Sequence, residues 1–124
     1  MVKRVFISQP MRNKSDEDVL ATRDHAKKIL SKYLEYMGDS LELISSFFTE
    51  DDIPSDIPED VNSIWYLGRS ITMLSKADAC FFCDGWENAR GCVIERNVCD
   101  SYGIEILDEK YVNEFITLNI DKAY

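Results

Sequence analysis

Basic charge is scarce in this chain: 14 lysines and arginines stand against 23 aspartates and glutamates, a net charge of −9 over 124 residues. A nucleic-acid polymer or an anionic membrane surface needs a basic face, so neither is an expected partner. Histidine is scarcer still. The only one, His25, lies on a helical stretch far from the cysteines, which leaves no obvious metal-binding set. The four cysteines supply a single C-x-x-C, Cys80 and Cys83, whereas a zinc site wants a second ligand pair and a redox motif belongs at a helix start. "DACFFCD" reads instead as a strand, where i and i+3 point to opposite faces. Cys92 and Cys99 are seven apart on a helix, which is not a chelating spacing. Four buried free thiols are therefore expected, with Cys92, near a helix start, the one candidate for reactivity. The five glycines form neither G-x-G-x-x-G nor a Walker loop. No apolar run approaches the length of a membrane span. The opening "MVKRVFISQPMRN" carries only a short apolar run before Gln9 and Pro10, unlike a secretory signal. The expected location is the cytoplasm, and neither a metal nor a cofactor is expected.

What is present is the composition of a globular domain, 45% hydrophobic and 30% charged, long enough for one core of its own over residues 1–124. "KRVFIS" (Lys3 to Ser8) reads as a strand that Gln9-Pro10 ends. Ser15-Asp16-Glu17-Asp18 is a helix-start pattern, and Val19, Ala26, Leu30, Tyr33 and Met37 then recur at helical spacing until Gly38. "LELISS" (Leu41 to Ser46) predicts a second strand. Phe47 to Val61 is loop-like and acidic, broken by Pro54 and Pro58, and suits either a lid or a solvated excursion. A second helix covers Asn62 to Lys76 with Ile64, Leu67, Ile71 and Leu74 on one face. "DACFFCD" is apolar on both faces, as a central parallel strand is. A third helix, about Asn88 to Tyr102, is closed by Gly103, and "IEIL" (Ile104 to Leu107) is the fourth strand. The tail "YVNEFITLNIDKAY" fits a last strand or a short helix.

This alternation predicts an α/β fold: a three-layer, doubly wound, mostly parallel sheet of four or five strands, flavodoxin- or Rossmann-like, with right-handed crossovers. Ligands of such sheets bind beyond the carboxyl ends of the strands, near the switch in strand order. That rule selects the loops Ser8 to Lys14, Ser45 to Val61 and Asp84 to Gly91. In the first, Arg12 and a helix start suit an anion or a sugar hydroxyl. In the third, Asp84 ends the central strand, Gly85 permits a tight turn and Trp86 offers a flat surface for a ring. Asn88 can cap the helix, and Gly91 allows a ligand or another backbone to come close.

Glu95 is the residue out of place. It stands at i+3 from Cys92 and i−4 from Cys99, on a helix face shared with Val98 and Tyr102 that should pack inward. A carboxylate there must be paired, hydrogen-bonded or protonated, because an unpaired buried charge costs several kcal/mol, roughly. An ion pair to Arg69 or Arg90 would make it structural; an open site in front of it would make it catalytic.

"VFIS-P-MR" at the first strand, "W-LG-S---L--AD" around the second helix and "GWENARGC-IE" together resemble the nucleoside 2-deoxyribosyltransferase-like proteins, in particular a small bacterial and phage branch. The resemblance spans about Lys3 to Leu107. It implies that Glu95 is a nucleophile toward the anomeric carbon of a sugar, and that the loop from Ser8 through Gln9, Pro10 and Met11 to Arg12 holds the sugar's 5′ end or its phosphate. Asp84, Gly85, Trp86, Asn88, Arg90 and Gly91 complete the implied substrate site. The implied partner is a nucleoside or nucleotide, and the implied assembly a homo-oligomer, for which Trp65, Trp86 and the aromatic tail are the available anchors. Some positions depart from the family pattern: Gln9 replaces a glycine, Phe6 a phenol, Ser70 an aspartate, and Ala89-Arg90 an acid that handles the base. Asp84 or Glu87 would have to serve in its place, and Arg12 with Arg90 suits a phosphorylated substrate. Two functions are thus expected: cleavage or transfer at an N-glycosidic bond, or a nucleotide-binding sensor module using the same pocket without chemistry.

Overall fold

A computed structural model of the chain describes residues 1–45 and 52–121. Eight main elements alternate: β1 (Val2–Ser8), α1 (Asp16–Tyr36), β2 (Ser40–Ile44), α2 (Asn62–Leu74), β3 (Ala79–Phe82), α3 (Arg90–Tyr102), β4 (Glu105–Asp108) and α4 (Glu109–Asn119). The four strands form one sheet in the order β2-β1-β3-β4, every pairing parallel. The fold is the expected three-layer α/β arrangement, with the flavodoxin-like order of strands. The tail is a helix as far as Asn119, so the sheet has four strands among the described residues. Of the acidic stretch Phe47 to Val61, residues 47–51 lie outside the described ones, as does Ser46 of the anticipated second strand. A short 3-10 turn, Glu59–Val61, leads into α2.

Each element follows from local sequence. α1 starts at Ser15, whose hydroxyl accepts the Asp18 N–H at 3.1 Å, with Asp16, Glu17 and Asp18 in the first turn against the positive end of the helix dipole. It ends before Gly38, which takes the left-handed conformation at φ 87°. In β3 all four residues, Ala-Cys-Phe-Phe, are buried, as a strand covered on both faces requires. Alternation sends Val5, Ile7, Ala79 and Phe81 to one layer, where Ala26, Leu30 and Leu34 of α1 and Val112 and Ile116 of α4 meet them. It sends Phe6, Cys80 and Phe82 to the other, against Leu74 of α2 and Cys92 and Cys99 of α3. Cys80 and Cys83 fall in different layers, and all four cysteines are free and buried.

Three residues of the anticipated apolar stripes point out. Met37 is 53% exposed, Ile64 66% and Tyr102 81%. All three sit at helix ends, Met37 at the C-cap of α1, Ile64 in the first turn of α2 and Tyr102 in the last of α3, where the layer beneath has run out.

Candidate functional site

The carboxyl ends of β1 and β3 are adjacent, with Ser8 in register with Phe82, and β1 is the strand where the sheet's order reverses. Here the chain leaves β1 toward α1 on one side and leaves β3 toward α3 on the other, opening the crevice in which such folds bind ligands. The crevice has a volume of about 1140 Å³. The β1–α1 loop supplies Gln9, Pro10, Met11, Arg12 and Lys14; the β3–α3 loop supplies Asp84, Gly85 and Asn88; the start of α3 supplies Arg90 and Gly91; and Glu95 lies on the floor.

Ser8 and Glu95 are the two buried polar residues among the described ones, 2% and 6% exposed. The Ser8 hydroxyl donates to Glu95 Oε1 at 2.7 Å. Glu95 makes no ion pair among the described residues; burial pushes its pKa up to about 7, and the Ser8 hydrogen bond opposes that rise. The ion pair to Arg69 or Arg90 considered from sequence is therefore not what accommodates this acid. Behind Ser8 stands Cys92, within hydrogen-bonding reach of the hydroxyl and held protonated by burial, which pushes its pKa up to about 11. A thiol so buried has no thiolate character to make it reactive.

A second, smaller hollow opens beside Glu95. It measures about 40 Å³ and is lined by Phe6, Ile7, Ser8, Gln9, Met11, Ser70 and Glu95.

The loops that frame the crevice are fastened from behind. The Gln9 amide donates to the Val19 carbonyl at 3.0 Å, which turns that residue toward α1 while it still borders the crevice. Gly85 is left-handed at φ 88°, and a Cβ there would stand 3.7 Å from the Pro10 ring, so the two loops abut. The Asp84 N–H donates to Glu109 Oε1 at 3.0 Å, leaving the Asp84 side chain exposed at the crevice. Gly91 adopts ordinary helical backbone, and an added Cβ would meet only Leu67, at 4.0 Å. The protein's own packing does not demand that glycine; the crevice in front of it stays wide because of it.

Three sequence expectations change. Trp86 does not border the crevice. It packs against Phe82, ring centroids 5.9 Å apart, beneath the Arg96 guanidinium at 4.0 Å, and Arg96 in turn holds Asp108 through two hydrogen bonds of 2.6 and 3.2 Å. Trp86 is thus half-buried and held by these contacts, outside the lining of the crevice. Asn88 does not cap α3: the cap position is Ala89, which has no side-chain hydrogen bond to offer. Finally, the helix start suited to an anion is that of α3, without a side-chain cap and without an acid in its first turn. The α1 start is already satisfied by Ser15 and three acids. Of the two acids considered as stand-ins near the base, Asp84 borders the crevice and Glu87 does not. The tail aromatics Tyr111 and Phe115 pack on Tyr33 of α1, so Phe115 at least is spent inside the molecule.

The α2 wall was missed as such: Ser63, Tyr66, Leu67 and Ser70 border the crevice. A sign of it lies in α2 itself, an amphipathic helix of which only Leu74 is buried. Sequence periodicity marks an apolar face without telling whether protein or ligand covers it. Among the described residues no three acid, cysteine or histidine side chains gather as a metal site, and no helix is long and apolar enough to cross a membrane.

Fold and crevice define a class: a parallel α/β domain whose open site, at the switch point of the sheet, has a buried carboxyl group on its floor. The chain belongs to the DUF4406 family, a domain of unknown function, whose family model matches residues 3–108 and so includes every residue of the site. Comparison with curated proteins gave no match.

Proposed function

We propose that this protein cleaves or transfers at the N-glycosidic bond of a nucleoside or nucleotide, with Glu95 as nucleophile, as in the nucleoside 2-deoxyribosyltransferase-like proteins its motifs resemble. The observation that carries the reading is the Ser8–Glu95 pair: a carboxyl group at 6% exposure, without a cation partner among the described residues, facing an open crevice. A structural acid buried this deeply is normally neutralised by a charge; here the open side is left for a substrate. In the ionised form, a Glu95 oxygen bonds to C1′ while the C1′–N bond breaks and its electron pair leaves with the base, which takes up a proton. Water or a second base then attacks C1′ and frees the carboxylate. Because Glu95 has a pKa of about 7, the nucleophile is substantially ionised near neutral pH and protonated in acid.

Arg12, Lys14 and Arg90 border the crevice together with the open start of α3. The same lining carries Asp16, Asp84 and Glu95, so the crevice is not cationic as a whole. In a chain of net charge −9 a 5′-phosphate would be held by these three cations and the helix start rather than by a general positive field. Of the acids considered from sequence for handling the base, Asp84 is the one that borders the crevice. The reading carries a cytoplasmic location and a homo-oligomeric assembly with it.

The test is base release from a panel of nucleosides and their 5′-monophosphates, with and without an acceptor base. Turnover that is lost in Glu95→Gln supports the reading; turnover that survives the substitution overturns the mechanism. The sensor module is favoured by one observation, the replacement of two acids of the family pattern by Ser70 and Ala89 on the crevice wall. A nucleotide that raises the melting temperature and is recovered intact would establish it instead.

A further inference from the structure

The hollow of about 40 Å³ beside Glu95 has no part in bond cleavage as described, and its position gives it one. If Glu95 attacks C1′ of a β-nucleoside, it approaches from the face opposite the base. In a ribose that same face carries the 2′-hydroxyl, on the carbon next to C1′. Whatever stands beside the Glu95 carboxyl group therefore stands beside the 2′ position. What stands there is a recess with the capacity of a hydroxyl group or a water molecule. Its polar lining is Ser8, Gln9 and Ser70, and its apolar wall includes Phe6 and Met11.

Hydrogen-bonding capacity is left over in this recess after the Ser8–Glu95 and Gln9–Val19 bonds are made. Ser70 makes no side-chain hydrogen bond among the described residues. Gln9 uses its amide N–H on the Val19 carbonyl, which leaves its Oε1. Glu95 has a second oxygen, since Ser8 holds Oε1. A 2′-hydroxyl placed there can donate to a carboxylate oxygen and accept from Ser70. Hydrogen bonds between a nucleophilic carboxylate's surroundings and the neighbouring hydroxyl strengthen as positive charge develops at the anomeric carbon. A 2′-deoxy sugar would instead leave the recess and its polar groups without a partner, and a site built to bond a hydroxyl discriminates strongly against the analogue that lacks it.

We propose that the recess between Ser8, Ser70 and Glu95 is a 2′-hydroxyl subsite, so that the protein acts on ribonucleosides or ribonucleotides in preference to their 2′-deoxy counterparts. This rests on the reading of Glu95 as the group that attacks C1′. Ser70 is then the specificity-determining residue, placed by α2 over the sugar's 2′ edge.

The experiment measures kcat/KM for base release from matched ribose and 2′-deoxyribose substrates, free and 5′-phosphorylated, with wild type, Ser70→Val and Ser70→Ala. The expected result is a preference for the ribose partner of at least about tenfold in wild type, falling toward parity in both variants. Ser70→Val fills the recess and Ser70→Ala only empties it of its hydroxyl, so loss of folding in one leaves the other to report. The wild-type ratio needs neither. Equal rates or a preference for the 2′-deoxy substrate would overturn the subsite while leaving glycosidic cleavage in place. Release of no base from any substrate would overturn cleavage itself, and the subsite with it.

Discussion

The two faces of the sheet are built from the same strands by different rules. On the α1/α4 face the buried residues among the described ones form an apolar cluster: Val5, Ile7, Ala79, Phe81 and Leu107 from the sheet meet Ala26, Leu30, Leu34, Val112 and Ile116. Tyr33, Tyr36, Tyr111 and Phe115 close its edge with ring contacts between 5.1 and 6.5 Å. On the α2/α3 face the same alternation ends in Ser8, and the helix opposite answers with Glu95. α2 buries only Leu74, and α3 buries two cysteines and an acid. One face is arranged to be sealed. The other gives up packing to hold a polar pair against an open crevice, the usual exchange between stability and function.

The contrast can be broken most severely on the sealed side. Leu30, fully buried, touches no part of the crevice. Leu30→Ala should lower unfolding free energy by about 3 kcal/mol in a denaturant titration and leave nucleotide-induced thermal stabilisation in place.

On the open side the largest effect concerns Glu95, and its sign depends on pH. Its folded pKa of about 7 lies above the ordinary value of 4.5. The folded state therefore keeps a proton that the unfolded chain releases as pH rises from 4.5 toward 7. Stability associated with Glu95 is complete below 4.5 and is lost as pH climbs through 7, a total of roughly 3 kcal/mol. Glu95→Gln removes the ionisation and should flatten that decline. In thermal melts at pH 8 the variant should be more stable than wild type, while any turnover disappears. A variant less stable than wild type at pH 8 would mean that the carboxylate is compensated by something other than Ser8.

Ser8→Ala sharpens the same point at smaller scale. The hydroxyl favours the ionised carboxylate, so its removal should raise the Glu95 pKa further and move the rising limb of a pH–rate profile to higher pH. It should destabilise the protein by about 1 kcal/mol above pH 7 and less below it. The smallest stability effect is expected at the crevice wall. Leu67 is half-buried over Gly91, and Leu67→Ala should change unfolding free energy by under about 1 kcal/mol yet weaken ligand binding. The equivalence of Leu67 and Leu30 in a stability assay would erase the distinction between the faces.

Much of this fold can be read from the chain because its pattern is local. Two-residue alternation in "KRVFIS", the doubly apolar "ACFF" and the Ser15 cap each mark an element within one or two residues of where it lies. The tail stayed open between strand and helix because "YVNEFITL" is rich in residues that suit both; its helix is decided by packing on α1, where Tyr33 meets Phe115 at 5.1 Å. In the site, Glu95 was visible as an acid on an apolar stripe, and the crevice loops followed from the switch-point rule. Trp86 misled because an aromatic beside a glycine turn has the same sequence whether it meets a ligand or, as here, Phe82 and Arg96. Ser70 and Leu67 could be placed on the crevice wall only once the helix carrying them was positioned in space. Partnership across the sheet is long-range, and no spacing along the chain encodes it.

The central claim is that the Glu95 carboxylate bonds to a sugar carbon. Its most direct test is peptide mapping by mass spectrometry after rapid acid quench of the protein with nucleosides and 5′-monophosphates. The account predicts a pentosyl adduct, phosphorylated or not, on the peptide containing Glu95 and absent from Glu95→Gln. Base release by wild type with the adduct on another residue, or base release by Glu95→Gln at the wild-type rate, would contradict it.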